Sequence, residues 1–218
     1  MTEKLQLNGL ESCVGLLLAG GNSRRFGGGD KCLHPLDGQT LLSHVITRAA
    51  PQVKSLILNA SGNATRFASY GLAVVADDLT GHLGPLAGIL TGLDWTKENR
   101  PNTKWVASFA TDAPFFPLDL VNRLHGAAHQ HGTKIAIAKC QGQTQPVFAL
   151  WSVDLAPDLR VALVEQGVRK VMAWVERHDP VFVEFSRPSF DPFFNINTQE
   201  DLNKAESLIQ QGSFHDGQ

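Results

Sequence analysis

The chain has 218 residues, of which 43% are hydrophobic and 18% charged, and a formal net charge of −2. That size allows one α/β domain with a substantial core, and the near-neutral balance excludes a global basic field recruiting nucleic acid or membrane, so any phosphate site must be a local cationic patch. Cys13, Cys32 and Cys140 show neither metal-ligand spacing nor a disulfide framework, which fits a reducing cytoplasm, and no apolar run reaches the length of a membrane span.

Residues 1–13 read as a polar lead-in without the apolar centre of a signal peptide. Residues 14–18 read as a buried strand with a glycine-rich loop leaving its carboxyl end. Residues 40–50 carry Leu41, Leu42, Val45 and Ile46 on one helical face, and Pro51 ends that helix. Residues 53–59 form a second strand, a short helical stretch follows, and 72–76 form a third. A helix over 86–95 follows Gly84-Pro85, and the polar residues 96–104 read as an exposed insertion before a fourth strand at 105–110. A helix over 117–128 has Pro117 at its first position.

Residues 134–139 and 146–151 form a hairpin around Gln141-Gly142-Gln143, and helices are expected over 155–166 and 169–177. A strand at 181–185 follows, and Thr198 starts a last helix with Asp201 as its capping partner. Residues 212–218 read as a frayed tail. Strands alternating with helices predict an α/β fold: a single Rossmann-like three-layer domain over 14–211, with a mostly parallel sheet and an antiparallel hairpin addition. His125, His129 and His131 lack an evident third metal ligand and read as a solvated helix face.

In open α/β sheets ligands sit beyond the carboxyl ends of the strands. Here those ends lead to Gly20-Gly21, Asn59, Asp77-Asp78 and Thr111-Asp112. The first loop continues through Arg24, Arg25, Gly27, Gly28 and Gly29 to Asp30-Lys31. Glycines let backbone N–H groups approach a ligand closely, and the three cations add charge, so the loop suits a polyphosphate. It is neither a Walker loop nor a dinucleotide fingerprint. Asp112 in Thr-Asp-Ala-Pro can hold Mg²⁺ or serve as a turn acid.

The order Leu18-Ala19-Gly20-Gly21, Ser23, Arg25, Gly27, Asp30-Lys31 resembles the signature of the nucleotidyltransferases, and within them that of the molybdenum cofactor guanylyltransferases. Phe26 stands where that family has methionine. Gly84 to Gly88, Gln145-Pro146, Gly167 to Met172 and Asn195-Ile196-Asn197-Thr198 resemble the family's later landmarks in the same order, so the resemblance covers nearly the whole chain.

The resemblance implies transfer of GMP from GTP to molybdenum-molybdopterin, with pyrophosphate leaving. It implies Arg25, Lys31 and Asp112 as catalytic residues, and Leu18, Ala19, Gly20, Gly21, Lys31, Asn59, Asp77 and Asp112 as the nucleotide site; Asp78 remains the rival of Asp77. Gly84, Arg169, Lys170 and Asn195 fall where the family faces the pterin, and Asp112 with Asn197 where it holds Mg²⁺. The nucleotide half would then run over about 14–112 and the pterin-facing half over about 113–198. A cytoplasmic enzyme with GTP and molybdenum-molybdopterin as substrates is expected, in transient contact with molybdenum-insertion and molybdoenzyme chaperone proteins, and without nucleic acid or membrane. Two other readings are a CTP-dependent molybdopterin or sugar-phosphate nucleotidyltransferase, and a non-catalytic carrier of nucleotide or cofactor. Lys31 and Asp112 together favour an enzyme, since a carrier need not keep a metal acid.

Overall fold

The computed structural model describes residues 13–20, 29–79, 83–185 and 190–211. Strand β1 (Cys13–Leu18) is buried along its whole length. Its side chains alternate: Cys13 and Leu17 enter one apolar cluster, and Val14, Leu16 and Leu18 enter another. This alternation is the period-2 geometry of a strand covered on both faces. Gly15 carries no side chain because a Cβ would stand 2.5 Å from Leu56 Cδ2.

After a short two-stranded hairpin, β2 (Pro35–Leu36) and β3 (Gln39–Thr40), come helix α1 (Leu41–Ala49) and strands β4 (Ser55–Asn59) and β5 (Ala73–Val75). The hairpin turns at Asp37-Gly38 with φ of 48° and 78°, the positive pair that a two-residue turn of matching twist requires. Next follow helix α2 (Pro85–Asn99), β6 (Trp105–Ala110), α3 (Leu120–His131), β7 (Ile135–Cys140) and β8 (Gln143–Ser152). Helices α4 (Ala156–Val164) and α5 (Val171–Val175), β9 (Val181–Glu184) and α6 (Gln199–Gln210) complete the chain.

The main sheet has seven strands in the order β5-β4-β1-β6-β8-β7-β9. Strand β8 alone runs against its neighbours β6 and β7, while the other pairings are parallel. Residues of α1 and α3 pack on one face and those of α2, α4 and α5 on the other, giving the expected three layers. A third cluster of Leu36, Leu41, Phe115, Ile196, Leu202 and Ala205 fastens α6 to the small hairpin.

Several local expectations are corrected. Strand β1 begins at Cys13, inside the expected lead-in. Helix α2 runs on to Asn99, so the stretch expected as an insertion begins as helix: Thr96 is fully buried with its hydroxyl donating to the Gly92 carbonyl (2.7 Å), while Lys97, Glu98 and Asn99 are exposed as expected. Helix α3 starts at Leu120 and not at Pro117. The reason lies on another element: buried Gln52 donates to the Pro117 carbonyl (3.1 Å) and accepts from the Val121 N–H (3.0 Å), fixing the start of the helix from outside. Helix α5 spans only Val171–Val175 of the expected 169–177. The capping box of α6, Thr198 with Asp201, is present as expected.

Candidate active site

Register places the site. Leu18 pairs with Asn59 on one side and with Ala110 on the other, and Asn59 pairs with Val75. The carboxyl ends of β4, β1 and β6 therefore lie in one row. The row is closed by Ala19 N–H to the Asn59 carbonyl (3.0 Å), Ala60 N–H to the Val75 carbonyl (3.1 Å) and the Thr111 hydroxyl to the Leu18 carbonyl (3.1 Å). Ala19-Gly20, Asn59 and Asp112 consequently leave the sheet along the same edge.

At this edge the Lys31 ammonium donates to Asp112 Oδ2 (2.7 Å) and to Asn197 Oδ1 (2.5 Å). Lysine and aspartate are partly shielded, with side chains 14% and 29% exposed. The three residues come from distant parts of the chain, Lys31 and Asn197 being 166 positions apart. Lys31 opens a short 3-10 turn (Lys31–Leu33) whose Cys32 is buried. Asp112 directly follows β6. Asn197 is carried by the loop before α6, and that loop is pinned by the Ile196 N–H to the Asp112 carbonyl (2.8 Å) and by the burial of Ile196.

Asp201 completes the anchorage, accepting the N–H groups of Asn197 and Thr198 at 2.8 Å each. Burial pushes its carboxyl upward, but those donors, the Thr198 side chain and the Lys31 charge outweigh burial and hold it below the ordinary carboxylate range.

A second tie holds the end of the glycine loop. Arg66, on the 3-10 helix Ala64–Tyr70, pairs with both carboxylate oxygens of Asp30, donates to the carbonyls of Asn63 and Ser61, and lies 4.4 Å above the Phe67 ring. This brace was not legible in the sequence. Arg66 had no motif around it, and its only signal is a basic residue in a short segment that follows a strand end.

On the other side of the row, Asn59 Nδ2 donates to the Val75 carbonyl (3.1 Å) and to Asp77 Oδ1 (2.8 Å). The Thr91 hydroxyl of α2 reaches the same Asp77 oxygen at 3.1 Å. This selects Asp77 over Asp78 as the carboxylate tied to the strand ends. Of the residues expected toward the pterin, Gly84 is the N-cap of α2 with φ +73° and lies beside the Arg169 backbone. The Arg169 guanidinium donates to the Leu163 and Val168 carbonyls (2.8 and 2.9 Å), closing the end of α4. Lys170 and Asn195 are exposed. Gly21 and Arg25, with Arg24, fall outside the described residues.

Asp112 and Asn197 present two oxygen atoms to one cation, the Lys31 ammonium. A carboxylate and an amide oxygen form the hard donor set that suits Mg²⁺, which keeps waters and substrate phosphates as its remaining ligands. No cluster of three or more His, Cys, Asp or Glu residues suited to a metal occurs among the described residues. No helix among them is long and apolar enough to cross a membrane.

The chain is similar to known proteins in sequence and in fold. The family model described as the MobA-like NTP transferase domain matches residues 15–181. A molybdenum cofactor guanylyltransferase of Bradyrhizobium sp. (strain ORS 278) is 53% identical over 194 residues, covering 89% of this chain and 92% of that protein. Another, from Nitrobacter hamburgensis, is 48% identical over 194 residues, covering 89% of this chain and 93% of the other. Among solved structures, molybdopterin-guanine dinucleotide biosynthesis protein A from Archaeoglobus fulgidus matches with a TM-score of 0.72 at 25% identity, covering 91% of this chain and 99% of that one.

Proposed function

This chain belongs to the MobA-like NTP transferase family, and from that premise we propose that it acts as a molybdenum cofactor guanylyltransferase, joining GMP from GTP to molybdenum-bearing molybdopterin with release of pyrophosphate. The observation that supports it best is the Lys31 ammonium seated between Asp112 and Asn197 at the carboxyl edge of β1 and β6.

In this reaction a phosphate oxygen of molybdopterin attacks the α-phosphorus of GTP. A new P–O bond forms as the bond to the β-phosphate breaks. Both reactants are anions, so alignment and charge neutralisation dominate over covalent chemistry. The attacking phosphate is already ionised near neutral pH and needs no dedicated base. Lys31, with Arg25 six positions before it in the sequence, neutralises the phosphates, arginine being suited to bidentate contact. The backbone around Gly20 meets the nucleotide. Asp112 and Asn197 would hold Mg²⁺, which when bound supplies charge stabilisation at the α-phosphate. Residues from about 14 to 112 serve GTP and those from about 113 to 198 face the pterin, Lys170 among them, joined by Gly84 from the nucleotide half, in a cytoplasmic enzyme.

A thermal-shift panel with GTP, CTP, ATP and UTP, each with Mg²⁺, tests the reading, because a ligand that binds only the native state raises its stability. Selective stabilisation by GTP, followed by pyrophosphate release when molybdenum-molybdopterin is added, is the expected result. Selectivity for CTP, or GTP binding without pyrophosphate release, would replace this reading with a cytidylyltransferase or a carrier.

A further inference from the structure

The arrangement around Asp77 assigns roles to two neighbours that do not themselves reach outward. Asn59 is 7% exposed, and both protons of its amide nitrogen are engaged, by the Val75 carbonyl and by Asp77 Oδ1. Its remaining polar atom, Oδ1, lies against the backbone of Gly88: a Cβ built on Gly88 would stand 2.4 Å from it. Asn59 therefore has no donor left for a base. Thr91 is 5% exposed, three residues along the same helix from Gly88, and its hydroxyl lies 3.0 Å from the Ala87 carbonyl and 3.1 Å from Asp77 Oδ1. A hydroxyl has one proton. The Ala87 carbonyl is already served by the helix ladder, whereas a carboxylate can only accept, and a donor to a charged oxygen makes the stronger bond.

Asp77 Oδ1 thus takes one proton from Asn59 and one from Thr91, while among the described residues nothing donates to Oδ2. The residue itself is exposed, two residues beyond the end of the edge strand β5. A carboxylate held by one oxygen, with no donor on the other among the described residues, is a fixed acceptor for an N–H edge. Guanine offers two adjacent donors there, N1–H and the 2-amino group. Cytosine and adenine place a lone pair beside their single amino group and would be repelled.

Resting on the guanylyltransferase reading, we propose that Thr91 and Asn59 are positioning residues. Seated by Gly88, they fix the orientation of Asp77 and so set its discrimination for the donor edge of the purine. Thr91 acts on nucleotide choice from the helix behind the site, without touching the nucleotide.

The test compares GTP with ITP, which keeps N1–H and lacks the 2-amino group, in transfer assays with Mg²⁺ and molybdenum-molybdopterin. The proteins are the full-length wild type, Thr91→Val, Thr91→Ala and Thr91→Ser. Wild type should favour GTP over ITP in kcat/KM. Thr91→Val and Thr91→Ala should narrow that preference by about tenfold, the scale of one hydrogen bond to a charged group, through KM for GTP and not through kcat. Thr91→Ser, which keeps the hydroxyl, should restore the preference. Thr91→Ala guards against a packing fault specific to valine. An unchanged GTP-to-ITP ratio in both hydroxyl-free variants would overturn the proposal while leaving the guanylyltransferase reading intact. So would a loss confined to kcat, or failure of serine to rescue. Absence of guanylyl transfer by the wild type would overturn both.

Discussion

Gly88→Ala sets helix propensity against packing at one atom. Alanine in place of glycine inside a helix favours the folded state by about 1 kcal/mol. At Gly88, however, the new Cβ would stand 2.4 Å from Asn59 Oδ1 and 2.6 Å from Leu18 Cδ2. Carbon contacts settle near 3.5–4.0 Å, so the leucine terminus must move by about 1 Å. Leu18 and Asn59 are both buried, and Asn59 is held by two hydrogen bonds. Overpacking of this kind costs about 1–3 kcal/mol, and shifting the Asn59 amide forfeits about 1 kcal/mol more. The net result is a destabilisation of about 1–3 kcal/mol, which for a chain of this size lowers Tm by about 2–4 °C per kcal/mol. Gly126 on α3 is the control, because a Cβ there meets nothing within 4 Å. Gly126→Ala should stabilise by about 0.4–1 kcal/mol. Urea unfolding of the two variants beside wild type measures both signs. A Gly88→Ala protein as stable as wild type would refute the packing argument, as would a destabilised Gly126→Ala.

Replacing Lys31 with Met should lower guanylyl transfer at least about 100-fold, the scale of losing one charge-stabilising donor. It should also tighten Mg²⁺ binding to the nucleotide-free protein, since Asp112 and Asn197 lose the cation now seated on them; calorimetric titration with an unchanged or weaker affinity would contradict that arrangement. Asp201→Asn should reduce stability at neutral pH, and its deficit should fade in acid. The native Asp201 carboxyl titrates below its unfolded value, so its contribution is complete above the unfolded value and lost as pH falls through the native one; a deficit constant with pH would show that Asp201 is not held as a charged cap. All three cysteines are buried and unpaired, and burial pushes the Cys13 and Cys32 thiols up to about 12 and Cys140 to about 11. The native protein should therefore react slowly with a thiol reagent and reveal three thiols only in denaturant, whereas a fast-reacting thiol in the folded protein would mean that one of them is open.

The sequence alone determined what depends on neighbours along the chain. The period of β1, the amphipathic α1 and the Thr198–Asp201 capping box are local patterns. Each is read within about two helical turns, because backbone sterics and i, i+3 or i, i+4 contacts act over that range. The carboxyl-end rule then gathered Gly20, Asn59, Asp77 and Asp112 on one edge, and register confirms that Leu18, Asn59 and Ala110 lie in one row. Only the tertiary structure decided which partners those residues choose. Asn197 meets Lys31 across 166 positions because Ile196 is buried with Leu36 and Leu41, and α3 starts where Gln52 from another element satisfies Val121. Thr91 turns to Asp77 because α2 packs on β4 with a glycine at the contact. Burial and hydrogen-bond satisfaction are set by whichever groups the fold brings within a few ångströms, and spacing along the chain carries no record of that distance.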